Sequence, residues 1–203
     1  MTPRILRGCG DVAATMIMDL VTRKWLATIV SAEETSTQVQ VVFTDALEAE
    51  GLLDEALARG QEWVDLKEDD ERRPILLAVS DNGPQMTSGS TRELMALCAI
   101  AQHFGRPHTP TDQAWIETLF GHLKAEWPHL DKIDDAAVLR AELERVRAHY
   151  NGVRLHEAIG YVTPDDEHEG RGPAIRQARR DGLRRAREQR INYHRNNKPP
   201  EIP

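Results

Sequence analysis

Apolar residues in this chain fall into two patterns. Some form short continuous runs; others recur every three or four residues over longer stretches. Residues 13–20 and 25–30 are runs of the first kind, with Thr22-Arg23-Lys24 as a turn between them, so the pair predicts a β-hairpin. Residues 75–80 form a third run, apolar on both faces like a central strand of an α/β sheet. Helical spacing starts at Thr35, where Val39, Val42, Phe43, Ala46 and Leu47 line one face and Gly51 ends the pattern. A further helix is predicted over 52–64, and another over 91–104 with Leu94, Leu97, Cys98 and Ala101 on one face. Asp112 is an N-cap candidate for a helix whose stripe is Ile116, Phe120, Leu123 and Trp127. Residues 134–150 read as an amphipathic helix through Leu139, Leu143, Val146 and Tyr150. Between these lie a charged connector (67–73) and a short extended piece (105–110).

This order of elements predicts a mixed α/β domain, its hairpin antiparallel and its later strand joined through a helical crossover. The core is expected to close near Thr163-Pro164. Residues 165–173, acidic and then glycine-rich, read as a linker, and 174–190 as a basic helix. The expected division is a core over 1–165, with linker and basic helical tail over 166–203.

Charge sharpens that division. The 203-residue chain carries a net −7, yet residues 171–203 hold ten Lys/Arg against three Asp/Glu, leaving −14 on residues 1–170. An acidic body with a basic tail is the asymmetry expected when one segment handles phosphate, and equally of a solvated terminus. No apolar run is long enough to span a membrane, and no signal peptide is visible at the first residues. Cys9 and Cys98 form no ligand-spaced pair, so a reduced, cytoplasmic protein with no membrane partner is expected.

The candidate chemistry lies between Ser80 and Lys124. Asp81 follows the apolar run in Ser80-Asp81-Asn82-Gly83-Pro84-Gln85, and 35 residues separate it from Glu117, with Lys124 two helical turns further on. A carboxylate fixed at a strand end, a second on a helix and a lysine nearby suit metal-dependent phosphoryl transfer. Taken singly, Asp-Asn-Gly is also plain turn chemistry, and Glu117 and Lys124 are ordinary exposed helix residues.

Taken together, these residues resemble the integrase-type catalytic core of bacterial insertion-sequence transposases and retroviral integrases. That family places its second Asp in an Asp-Asn-Gly context, as at Asp81. Its Glu follows about 35 residues on, heading a helix akin to Glu117, Phe120, Leu123, Lys124 and Glu126. Met18-Asp19-Leu20-Val21-Thr22-Arg23-Lys24 resembles the family's first hairpin turn. Tyr150-Asn151-Gly152-Val153-Arg154-Leu155-His156, followed by Thr163-Pro164, resembles the closing signature of the bacterial branch. The resemblance spans residues 12–165. It implies a ribonuclease-H-like fold and DNA cleavage and strand transfer with Mg²⁺ or Mn²⁺ held by Asp81 and Glu117. It also implies DNA contacts at Lys124, Arg154 and His156, transposon ends and target DNA as partners, and a homo-oligomer or a full-length transposase as protein partner. A bacterial, nucleoid-associated location follows. The basic helix adds Arg176, Arg179, Arg180, Arg184 and Arg187 as expected phosphate contacts.

One departure stands out. The family's first Asp lies more than ten residues before the hairpin turn, and residues 1–10 contain no Asp or Glu. Thr2-Pro3 reads as the remnant of Asp-x-Thr-Pro, with the Asp just ahead of Met1, and Asp11 lacks the following Thr. A core impaired by an incomplete triad is the expectation. Two alternatives remain open: a non-catalytic, DNA-binding transposase fragment acting as a regulator, and a ribonuclease-H-like nuclease.

Overall fold

The structure is a computed structural model that describes residues 5–7, 12–33, 35–65, 73–106 and 114–197. Three strands form an antiparallel sheet in the order β1 (Ile5–Arg7), β2 (Ala13–Met18), β3 (Trp25–Ser31). The predicted hairpin is β2–β3. Its turn is tied by Asp19 N–H to the Lys24 carbonyl at 2.8 Å, with Arg23 in the left-handed region at φ 66°. All six residues of β2 are buried, so the strand needs cover on both faces. The register jumps from Met18↔Trp25 to Ile17↔Ala27, which leaves Leu26 as the extra residue of a bulge. Trp25 therefore joins one core and Leu26 and Ala27 the other.

Two layers of helix supply that cover. On one face α1 (Ser36–Ala49) buries Val39, Val42, Phe43, Ala46 and Leu47, the predicted stripe. Thr35 caps it, with its own N–H donating to Gln38 Oε1 at 3.0 Å in a capping box, and Gly51 at φ +66° takes the chain out. Next, α2 (Leu53–Asp65) packs against α4 (Gly89–Leu97) so closely that a Cβ on Gly60 would stand 1.8 Å from the Leu97 carbonyl oxygen. The opposite face is covered by α5 (Ala114–Glu126) and α6 (Ala136–Gly152), through Ile116, Leu119, Phe120 and Leu123 and through Leu139, Leu143, Val146 and Tyr150. Between them runs a 3₁₀ turn, Pro128–Lys132. Asp135 caps α6 by accepting from the amides of Ala137 and Val138.

Between these layers the chain makes β4 (Leu76–Ser80), α3 (Pro84–Thr87), α4 (Gly89–Leu97) and β5 (Ile100–Phe104). Here the expected helix over 91–104 is corrected. It stops at Leu97, Ala99 turns left-handed at φ 48°, and Ile100–Phe104 pairs in parallel register with Leu76–Ser80. Backbone pairing to β4 outweighs the helical spacing of the side chains. This strand ends just before Gly105. A second correction concerns β4, which is not covered on both faces: Leu77 is 54 % exposed. Among the described residues its partner is β5, not a strand of the hairpin sheet.

The stretch expected as a linker contains α7 (Pro164–His168), capped by Thr163 and fastened to the core. His168 Nε2 lies 2.6 Å from Glu50 and its Nδ1 3.1 Å from the Thr22 hydroxyl, which donates to Asp19 at 2.6 Å. Burial pushes the Glu50 carboxyl up, but Lys24 and His168 outweigh it and hold it below its ordinary value. The basic helix, α8 (Gly172–Asn196), is longer at both ends than its sequence pattern suggested, and every residue from 183 to 197 is exposed. No helix among the described residues is long and apolar enough to cross a membrane. The connector at 67–72, the extended piece at 107–110, Asp112 and Asp11 lie outside the described residues.

One buried contact ties helix to hairpin. Asn151 Oδ1 accepts the Trp25 N–H at 2.9 Å and its Nδ2 donates to the Trp25 carbonyl at 2.9 Å. Asn151→Ala leaves both backbone groups buried without that partner. The variant should lose about 2–4 kcal/mol of stability, read from urea unfolding midpoints; an unchanged midpoint would show the clamp to be dispensable.

Candidate functional site

Asp81 is the first residue beyond β4, half-buried beneath a turn that the local sequence builds. Its Oδ1 accepts the Gly83 N–H at 2.9 Å, an Asx turn that leads into α3. Gly83 is needed for space, because a Cβ there would sit 2.9 Å from Asp81 Oδ1 and 3.2 Å from Gln85 Oε1. Asn82 Nδ2 donates to the Gly105 carbonyl at 3.0 Å, and Gly105 N–H donates to the Ser80 carbonyl at 2.8 Å. These bonds lock the carboxyl ends of the two parallel strands together, so Asp81 stands on a rigid edge. Carboxyl ends of strands are where open α/β sheets place their ligands.

Glu117 lies in the first turn of α5, half-buried, and Lys124 is exposed near that helix's end. Two turns apart, they share a face; Ile116, Leu119, Phe120 and Leu123 are turned into the core. Leu119 is an addition to the stripe predicted for this helix. Among the described residues, no group of three or more His, Cys, Asp or Glu side chains is arranged to hold a metal ion.

The closing motif makes contacts within the protein. Arg154 grips Glu126 at the end of α5, with Nη2 2.9 Å and Nε 3.1 Å from Oε1. Its guanidinium also lies 5.8 Å from the centre of the Tyr150 ring. His156 is buried and packs edge-on against that ring, centroids 4.6 Å apart. Burial, reinforced by Arg154, pushes the His156 imidazole down to about 4, and burial raises the Tyr150 phenol to about 12. Burial, with Arg154 beside it, also lowers His122. These residues surround a cavity of about 430 Å³. Sequence spacing gave no hint of the roles of Glu126 and His122; the Glu126–Arg154 pair bridges 28 residues.

The tail arginines divide into two sets. Arg176 bonds the Ile159 carbonyl at 2.8 Å and Glu167 at 2.6 Å, and Arg179 bonds the carbonyls of Gly160 and Tyr161. Those two bind the helix to the body. Arg180, Arg184 and Arg187 are exposed, and the first two pair at short range with Gln177 and Asp181.

Residues 98–164 match the family described as integrase core domain. Over 81 % of its length the chain aligns with a chain of the cryo-EM structure of the simian T-cell lymphotropic virus intasome in complex with PP2A regulatory subunit B56 gamma, at 15 % identity and a TM-score of 0.57. It spans 52 % of that chain. Over 83 % it aligns with the catalytic core domain of BIV integrase, at 19 % identity and a TM-score of 0.54, spanning 95 % of that domain. Against the HTLV-2 integrase catalytic core domain in complex with magnesium the figures are 81 %, 14 %, 0.48 and 90 %. The architecture is the α/β, ribonuclease-H-like fold. Residues 98–164, which hold Glu117 and the closing motif, are similar to an integrase core.

The buried His156 makes stability pH-dependent. Its folded value of about 4 lies below the ordinary 6.5, so between these pH values the unfolded chain binds the proton that the folded chain refuses. Stability that is complete above pH 6.5 should fall by on the order of 2–3 kcal/mol as pH drops to 4. His156→Gln, which cannot titrate, should flatten urea midpoints across that window; equal slopes in both proteins would refute the assignment.

Proposed function

We infer that this chain is the catalytic core of a transposase or integrase that cleaves DNA ends and joins them to target DNA. The observation that carries this reading is Asp81 fixed at the carboxyl end of β4 in an integrase-type core, with Glu117 in the first turn of α5. Both are hard oxygen donors, the type Mg²⁺ and Mn²⁺ prefer, and Mg²⁺ commonly takes one or two carboxylates and fills its sphere with water and substrate phosphate. The donor set therefore fits such an ion. When bound, the metal would supply Lewis-acid stabilisation of charge developing on the phosphodiester.

The chain's own residues do the rest. The Asx turn at Gly83 and the Asn82–Gly105 bond keep Asp81 from swinging away. Lys124, on the Glu117 face, is placed to neutralise a DNA phosphate. Arg154 and His156 act at one remove, bracing α5 through Glu126 and packing Tyr150. Arg180, Arg184 and Arg187 offer exposed charge to the DNA backbone, which positions the duplex without reading its sequence. A second copy, or a longer transposase, completes the assembly that joins two DNA ends.

Mn²⁺ should broaden the amide resonances of Asp81 and Glu117 together, and Asp81→Asn should abolish the broadening at both. Whatever metal-dependent DNA cleavage this core retains should drop at least about a hundredfold in Asp81→Asn or Glu117→Gln. Broadening at only one of the two sites would disprove a shared metal.

The tail is tested through salt. For every phosphate that the protein ceases to neutralise, the slope of log affinity against log salt flattens by roughly 0.9 on duplex DNA. Replacing Arg180, Arg184 and Arg187 by Ala should reduce that slope in magnitude and weaken binding equally on unrelated sequences. An unaltered slope would remove the helix from the DNA interface.

A further inference from the structure

A cavity of about 430 Å³ lies under the closing motif. On α5 it takes Leu119 and the flank beside it, turned away from the Glu117–Lys124 face. Its floor is apolar and aromatic: Met18, Leu119 and Tyr150 are almost fully buried, and His156 stands edge-on to Tyr150. Its mouth is open, with Leu155 and Tyr161 each more than half exposed.

Tyr161 is held at that mouth in an unusual backbone state. Its φ is 58°, a region that bulky L residues rarely adopt. Its N–H donates to the His156 carbonyl at 2.7 Å, and its carbonyl accepts from Arg179 of α8. The ring is thus displayed by bonds from both sides. The loop that displays it is the one to which the basic helix is fastened, through Arg176 and Arg179.

The chemistry narrows the ligand. Arg154 already answers Glu126, and Arg23 lies in the field of Asp19. The imidazoles of His156 and His122 are held toward their neutral forms. Such a lining offers hydrogen-bond donors and acceptors beside an apolar floor and an exposed aromatic ring, which suits a planar, neutral heteroaromatic group better than a bare anion. The volume falls within the range of about 300–1,000 Å³ usual for small-ligand sites. The basic helix fastened to the Tyr161 loop adds charge nearby for a phosphate attached to that group.

We propose that this cavity is a base-binding pocket, in which an unpaired nucleobase of a DNA strand enters past Tyr161 while the adjoining phosphates meet α8. It rests on the DNA reading above. It adds a second contact, distinct from the metal face, that selects frayed or single-stranded DNA over closed duplex. Stacking on an exposed aromatic ring is sequence-tolerant, so any of the four bases should serve.

The test uses the full chain and amide NMR, titrated with deoxyadenosine monophosphate, a short single-stranded oligonucleotide and inorganic phosphate. The first two should shift the resonances of Leu155, Ala158 and Tyr161, and phosphate should not. Tyr161→Asn removes the ring while keeping a residue that tolerates positive φ; it should weaken the oligonucleotide by roughly fivefold or more. Ala158→Trp, at an exposed rim position, should plug the mouth and erase the shifts. Shifts produced equally by phosphate would make this an anion site and overturn the proposal. Oligonucleotide binding along α8 with the cavity amides unmoved would overturn it while leaving the DNA reading intact. Failure of the chain to bind any DNA would remove both.

Discussion

A strand buried on both faces is the constraint from which the rest of this molecule follows. Every residue of β2 is buried, so this strand needs cover on both faces. One layer must come from α1 and the other from α5 and α6, which makes α5 an obligatory wall of the core. Glu117 is carried on that wall. Its orientation is set by Ile116, Leu119, Phe120 and Leu123, whose burial leaves little freedom of rotation about the helix axis. A carboxylate on a surface loop would have no comparable restraint.

Glu117 stands in the first turn of α5. The last turn is gripped by Arg154 across 28 residues. Asn151, three residues earlier, bonds both backbone groups of Trp25 and so attaches the same segment to the hairpin. One short motif therefore secures the helix and the sheet against each other. Polar side chains suit this work because they bond backbone and carboxylate groups that apolar packing would leave unsatisfied.

Much of this was legible in the sequence where local pattern and tertiary demand agree. Val39, Val42, Phe43, Ala46 and Leu47 announced α1, and Thr35 and Gly51 marked its limits, since capping and burial there obey the same period. Pattern misled where they conflict. Residues 100–104 have apolar spacing compatible with a continued helix, but the left-handed turn at Ala99 and pairing with Leu76–Ser80 make them a strand. Parallel pairing is a long-range fact that spacing within a window does not contain. The acidic stretch at 165–173 looked like a linker because composition records charge, not partners; Glu50 and Thr22, more than a hundred residues away, give His168 its place. For the candidate site, motif spacing picked out Asp81, Glu117, Arg154 and His156, but that Arg154 holds Glu126 and His156 packs on Tyr150 emerges only from the fold.

The isolated helix at the end of the fold has a geometric consequence. Its 25 residues rise about 1.5 Å each, giving a rod of roughly 37 Å. That is close to one turn of duplex DNA, about 34 Å. Because Arg176 and Arg179 clamp only the first turns, the rod acts as a ruler whose zero is fixed on the body. Inserting a single residue beyond the clamp would advance its far end by about 1.5 Å and rotate it by about 100°, so both the reach and the facing of that end are set by residue count.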